Sequence, residues 1–312
     1  MWRRCRALAG PLLLAAACGP GSAWGAPLQV VCTTGMVADI VKNVGGERVA
    51  VTTLIGEGVD PHLFKPTRDD VGKMLRADMI FYSGLMLEGR MTETFEKIRQ
   101  RGKPVVAVTD GLAPGILIQG EGHRDPHVWM DPAAWSGCVE PVRAALEKAD
   151  PPGAPDFSRQ AAEYATRLAA LHAYVKKVLT SIPEAQRVLI TAHDAFHYLA
   201  RATGMTVLGI QGLSTESEAG VSDINRLVDE VVARKIPAIF VETSVSDKNV
   251  RAVMEGAAAR GHPLKLGGKL FSDAMGAAGT YEGTYIGMID HNATTIARAL
   301  GGEAPEKGLS GQ

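Results

Sequence analysis

This chain of 312 residues is poor in several things that would each have pointed somewhere. It has four cysteines, and they show none of the paired spacing of a cysteine-built zinc site. Cys5 and Cys18 lie near the amino terminus, which leaves Cys32 and Cys138 for the body of the protein. In an oxidising compartment those two could form a disulfide. Their contexts, a strand and an apolar helix, suit two buried small hydrophobes equally well. No sign of charge dominates: 33 basic residues face 34 acidic ones, for a net charge of −1. That balance argues against a nucleic-acid surface or a basic membrane-binding face. No helical His-Glu-x-x-His occurs, so the usual zinc-peptidase signature is missing. Past the amino terminus no apolar run is long enough to span a bilayer. The two halves of the chain share no strong sequence repeat.

What is present begins with an export signal. Arg3, Arg4 and Arg6 form a positive end, and Leu8 to Ala17 a short apolar core. Ala23-Trp24-Gly25 is a small-residue cleavage site, giving residues 1–25 as signal peptide and a mature start at Ala26. Losing those three arginines takes the net charge from −1 to −4. The expected product is periplasmic and soluble. Cys18, after Ala15-Ala16-Ala17, offers a rival reading as a lipid anchor, although Ala15 stands where a larger aliphatic residue is usual.

From Gln29 onwards strands and helices alternate. Strands at 29–32, 49–55, 79–82 and 105–108 are separated by helical stretches, and the pattern restarts at 188–193, 206–210, 238–241 and 264–266. Such spacing implies βαβ units and parallel sheets. A helix is expected over about 133–148, and a terminal one over 285–300. Between the halves Phe157, Ala161, Tyr164, Leu168, Leu171, Val175 and Val178 recur at steps of four and three, an apolar helical stripe running over about 156–181. The expected architecture is α/β: an N-terminal Rossmann-like lobe (26–155), one long rigid linker helix (156–181) and a C-terminal lobe (182–312).

The tripeptide Asp-Pro-His occurs twice, as Asp60-Pro61-His62 and Asp125-Pro126-His127. Proline stiffens the backbone, and the nearby carboxylate can orient the imidazole as a metal ligand. Two loop histidines sharing a dipeptide by chance is the competing reading. His62 follows a strand, His193 closes another, and Asp273 lies in the loop after a third. Ligands in open parallel sheets bind beyond the carboxyl ends of strands. Three imidazoles and one carboxylate form a donor set suited to a transition metal.

The segments GEGVDPHLFKPT (56–67), DPHVWMDP (125–132), TAHDAF (191–196), QGLSTESEAG (211–220) and KLFSDAMG (269–276) together resemble the substrate-binding proteins of manganese/zinc ABC transporters, the group called cluster A-I or TroA-like. The resemblance covers nearly the whole mature chain in order. It implies His62, His127, His193 and Asp273 as the ligands of Zn²⁺ or Mn²⁺, carried as cargo in the cleft between the lobes. It implies no catalysis, a monomer, and as partner an inner-membrane permease with its ATPase. The His-rich loop of zinc-dedicated members is absent, since only His123 stands there. His197 reads as a solvated helix residue with a supporting role as the alternative, and His123 as a loop residue. Structural roles are the default for Glu242, Glu216 and Glu218; the alternative has Glu242 bracing the site from the end of its strand and Glu216 and Glu218 lying at the lobe interface. Trp129 and Phe64 read as cleft packing, and His172, His262 and His291 as surface residues. Metal affinity is expected to fall below about pH 6.5, the free histidine value. The alternatives are a secreted zinc-dependent hydrolase, with an open coordination position, and a surface protein with a structural metal.

Overall fold

The computed structural model describes residues 25–120 and 122–311; the signal segment with Cys5 and Cys18 lies outside them. The first lobe is built on four parallel strands, β1 (Leu28–Cys32), β2 (Val49–Thr53), β3 (Met79–Tyr82) and β4 (Val105–Ala107), in the order β2-β1-β3-β4. Helices α1 (Gly35–Gly45), α2 (Arg68–Arg76) and α3 (Thr92–Arg99) connect them. The hydroxyls of Thr34 and Thr67 cap the first two, and Asp70 completes a reciprocal capping box with Thr67.

The stretch 133–148 is not one helix. It forms α4 (Pro132–Ser136) and α5 (Val139–Ala149), parted at Gly137 and Cys138. Pro141 supplies the reason. It has no N–H to give the carbonyl of residue 137, so it is tolerated only in the first turn of a new helix. The side chain of Leu112 also lies where a Cβ on Gly137 would stand, 2.6 Å from it.

Helix α6 runs over Ala154–Thr180, with Pro155 in its first turn. It starts two residues before the proline-rich break suggested, because proline suits that position. At 1.5 Å per residue it is roughly 40 Å long. All seven stripe residues are buried. Along its length α6 packs on α1, α4 and α5 of the first lobe, and on α7 (His197–Thr203) and α10 (Tyr285–Ala299) of the second. One apolar core is continuous from Val30 and Phe81 through Leu168 to Phe240, Leu270 and Ile296. Asp39 of α1 adds a polar tie there, accepting the hydroxyl of Tyr164 at 2.6 Å and the backbone N–H of Tyr285 at 3.2 Å.

The second lobe has the parallel pairs β5 (Val188–His193) with β6 (Thr206–Gln211), and β7 (Ala238–Glu242) with β8 (Lys265–Leu270); β5 lies beside β7. The strand order β6-β5-β7-β8 parallels that of the first lobe, although β5 and β7 are not joined by ladder hydrogen bonds. Helices α8 (Val221–Arg234) and α9 (Lys248–Ala259) cover one side. Strand β8 continues past the Leu264–Leu266 expected of it. Its register shifts opposite Ile239 and Phe240, and Gly268 takes up that shift at a φ of +144° open to glycine. Cys32 and Cys138 are free thiols buried in the core, so the packing reading holds for both. Among the described residues no helix is long and apolar enough to cross a membrane.

Candidate metal centre

The four residues singled out in the sequence sit on four separate loops or strand ends. His62 follows β2, His127 precedes a short 3-10 turn (Val128–Met130), His193 ends β5, and Asp273 lies between β8 and α10. All four are buried, with His127 and His193 fully enclosed. One donor atom from each lies within 4.8 Å of the other three. The His62 and His127 Nε2 atoms are 3.3 Å apart. The carboxylate of Asp273 stands 3.2 Å from His193 Nε2, 3.5 Å from His127 Nε2 and 3.8 Å from His62 Nε2.

Those separations can be compared with a tetrahedron. Metal–nitrogen bonds of about 2.0–2.1 Å imply donor–donor edges of about 3.3–3.4 Å. The observed distances bracket that edge. Although His193 Nε2 is close to Asp273, the approach is not aligned as a hydrogen bond. His193 Nε2 and both Asp273 oxygens are buried without a hydrogen-bond partner. Buried polar atoms are rarely left so. A cation at the centre of the four would satisfy all three at once.

The rest of the shell fixes the imidazoles. Asp60 Oδ1 accepts the backbone N–H of His62 at 2.8 Å. Asp125 Oδ1 accepts both the backbone N–H of His127 at 2.9 Å and its Nδ1–H at 2.8 Å. Each Asp-Pro-His thus folds its aspartate back onto its own histidine. His193 is held by Glu242, whose Oε1 accepts the backbone N–H at 3.0 Å and whose Oε2 accepts Nδ1–H at 2.6 Å. With Nδ1 carrying the proton, His127 and His193 turn an Nε2 lone pair towards the centre.

Electrostatics divide the histidines. Burial, opposed by the charge on Asp273, pushes the pKa of His62 down to about 3. Burial also opposes a proton on His193, but the charges of Glu242 and Asp273 outweigh it and hold its pKa well above the ordinary value. For Asp273 burial is likewise outweighed, here by His193, His127 and His62, and the carboxyl stays well below the usual range.

Several side chains behave differently from their sequence reading. His197 is not simply solvated: its Nδ1 lies 3.2 Å from Asp125 Oδ2. Glu242 braces His193 directly. Trp129 stacks edge-on against His127 and also donates its indole N–H to the carbonyl of Ser272 at 2.8 Å. Phe64 is partly buried and packs against the first-lobe cluster that includes Met74 and Ile80. His262 and His291 each meet a backbone carbonyl, at 2.7 Å from Ile236 and 3.0 Å from Lys269, and His172 Nδ1 lies 3.0 Å from Asp131. His123 is a loop residue, with Nδ1 2.9 Å from the carbonyl of Arg124. Glu216 reaches across the rim to Arg90 at 2.7 Å, while Glu218 is exposed. Thr215 carried no signal in the sequence, yet its hydroxyl donates to Asp60 Oδ2 at 2.5 Å.

A cavity of about 370 Å³ leads in to Asp125 and His197 from the side of Ile118 and Leu213. A larger one of about 650 Å³ lies by Arg48 and Arg159, near the amino end of β2, and holds none of the four.

Comparison with known proteins bears on this arrangement. The profile of the family described as zinc-uptake complex component A, periplasmic, matches residues 30–299. The chain is 46% identical over 275 residues to the manganese-binding lipoprotein MntA of Bacillus subtilis, covering 88% of this chain and 90% of that protein. It is 47% identical over 277 residues to the zinc-binding protein TroA of Treponema pallidum, covering 88% and 89%. The solved structure of the periplasmic zinc-binding TroA from Treponema pallidum superposes with a TM-score of 0.86 at 46% identity, over 88% of this chain and 99% of that one.

Proposed function

The chain belongs to the family of periplasmic zinc-uptake component A proteins, and from that premise we propose that it captures Zn²⁺ or Mn²⁺ between its lobes and hands the ion to an ABC importer. The observation that carries the proposal is the convergence of His62, His127, His193 and Asp273, with orphaned buried atoms facing one point. These four are the ligands in this reading. The units are the lobe of residues 26–155, the joining helix and the lobe of residues 182–312.

The chemistry follows from the donor set. His62, His127 and His193 offer neutral nitrogen, and Asp273 offers one formal negative charge in a buried setting. One charge offsets half of a divalent ion, and the outer carboxylates Asp60, Asp125 and Glu242 supply more field through the imidazoles. Tetrahedral N₃O suits Zn²⁺; a bidentate Asp273 would raise the coordination number to five, which Mn²⁺ accepts. Affinity alone favours zinc at any such site, so the cell's metal supply decides the cargo.

Four protein donors fill a tetrahedron and leave no position for an attacking water, so the site is for holding and not for hydrolysis. Delivery needs a membrane permease and its ATPase, working with this chain as a monomer. Export by the leader places it in the periplasm, with anchoring through Cys18 as the alternative. The test is to add Zn²⁺ and Mn²⁺ to metal-free protein and count ions bound. One tight ion per chain, lost in Asp273→Ala and His127→Ala, is the expected result. Unchanged binding in both variants would remove the site. Fractionation of cells, comparing the wild type with Cys18→Ala, separates the two locations.

A further inference from the structure

The three carboxylates that orient the histidines do not spend their oxygens alike. Glu242 gives both to His193. Asp60 gives Oδ1 to the backbone of His62 and receives the hydroxyl of Thr215 on Oδ2, at 2.5 Å. Asp125 gives Oδ1 to His127 and turns Oδ2 to His197 Nδ1, at 3.2 Å. Asp60 and Asp125 belong to the first lobe, whereas Thr215 and His197 belong to the second. Both first-lobe carboxylates are therefore gripped at one oxygen by their own ligand histidine and at the other by the facing lobe.

A carboxylate held at one oxygen can still swing, because its terminal torsion has a broad minimum. Fixing the second oxygen removes that freedom. The backbone N–H of His62 and the ring N–H of His127 then have acceptors in a set direction. If the lobes part, both carboxylates lose a partner together, and the backbone at His62 and the ring of His127 lose a fixed acceptor. The two contacts differ in shelter: Thr215 is 8% exposed, whereas His197, with its side chain 35% exposed, reaches the fully buried Asp125 from the rim. The neighbouring Arg90–Glu216 pair also crosses the rim, but Arg90 bonds to Glu216 and the carbonyl of Leu63 and to neither of these carboxylates.

We propose that Thr215 and His197 are positioning residues that make the orientation of His62 and His127 depend on lobe closure, and so set how long a divalent cation stays bound. This inference rests on the metal-capture reading above. Neither residue touches the ion. The second lobe contributes His193 and Asp273 directly, and through these two contacts it also governs the pair of ligands it does not carry.

The experiment is chelator-driven release of Zn²⁺ from the loaded full-length mature protein, followed by stopped flow. Thr215→Val and His197→Leu remove the donors at similar volume. Thr215→Ser keeps a hydroxyl, and His197→Asn keeps an amide N–H near the place of Nδ1. The expectation is about tenfold faster release for the Val and Leu variants, in the range for partners that orient metal ligands, and rates near wild type for Ser and Asn. The double Thr215→Val/His197→Leu variant should fall short of the product of the singles, because one closure serves both contacts. Thermal melts of the metal-free variants check the fold, and the Ser and Asn pair keeps the comparison meaningful if a Val or Leu variant is unstable. Unchanged release in Thr215→Val and His197→Leu would overturn the inference while leaving metal capture standing, as would a double variant that reaches the full product. A wild-type protein that takes up no cation would instead overturn the metal reading itself.

Discussion

The indole of Trp129 donates to the carbonyl of Ser272 at 2.8 Å, across 143 positions of sequence. The bond joins the loop that carries His127 to the loop that carries Asp273. Tyr285 extends the tie by donating its hydroxyl to the carbonyl of Trp129 at 2.7 Å. Trp129→Phe removes the donor and leaves a buried carbonyl unpaired, a cost of about 1–3 kcal/mol. The expected outcome is a melting temperature lower by several degrees in the metal-free protein and weaker metal binding, because Asp273 is no longer fixed against His127. Calorimetry on the variant checks both; an unchanged melt and affinity would show the bond to be dispensable.

Glu242→Gln tests the brace on His193. A glutamine offers one acceptor where two donors, the backbone N–H and Nδ1–H, now arrive. Its amide must face one of them, which disfavours the tautomer that presents Nε2. Metal affinity is expected to fall by about 10- to 100-fold, the usual cost of losing such a partner. A competition titration against a chelator of known strength would measure it, and an unaltered affinity would argue that Nδ1 needs no carboxylate.

Asp273→Asn keeps shape and removes the single formal charge among the proposed ligands. Mn²⁺ prefers hard oxygen donors, whereas Zn²⁺ is well served by imidazole. The loss should therefore be larger for Mn²⁺ than for Zn²⁺. Parallel titrations with the two ions would read the ratio, and equal losses would count against a direct Asp273–metal bond.

The pH dependence has a definite sign. His193 has a raised pKa, so in the metal-free protein it carries a proton at neutral pH that an arriving cation must expel. His62, held down to about 3, carries none. Metal affinity should then fall as pH drops through neutrality, because the cation must displace the proton that His193 holds. The decline sets in above the value near 6.5 that free histidines would give, because Glu242 and Asp273 hold the proton on His193. The same raised pKa stabilises the metal-free fold below the ordinary histidine value, and that contribution is lost as pH climbs through the raised one. Calorimetry in buffers of different ionisation enthalpy would count the released proton. Zero protons at pH 7 would contradict the assignment.

Much of this was legible from local chemistry. The Asp-Pro-His pairs announce themselves because aspartate, proline and histidine act on one another within three residues, as the bonds from Asp60 and Asp125 show. The stripe of α6 was legible for the same reason, since a helix records its buried face at fixed spacing. What escaped the sequence lies in pairs distant along it. Thr215 lies within the QGLSTESEAG segment, but nothing local gives it a role, since its partner is a residue 155 positions away. His197 looked solvated because its partner Asp125 is 72 positions earlier. The break between α4 and α5 was present in the sequence as Pro141, which the reading of 133–148 as one helix left out of account.

Helix α6 carries the remaining consequence. Both lobes lean on it along its whole length, and an unbroken apolar core passes behind the cleft. Bending such a spine would expose buried side chains at a cost no single bound ion repays. Unloading is therefore a matter of small shifts of lobe against lobe and of the loops they carry, about an unbent helix, and a cargo seated this deeply leaves slowly unless the receiving machine prises those loops apart.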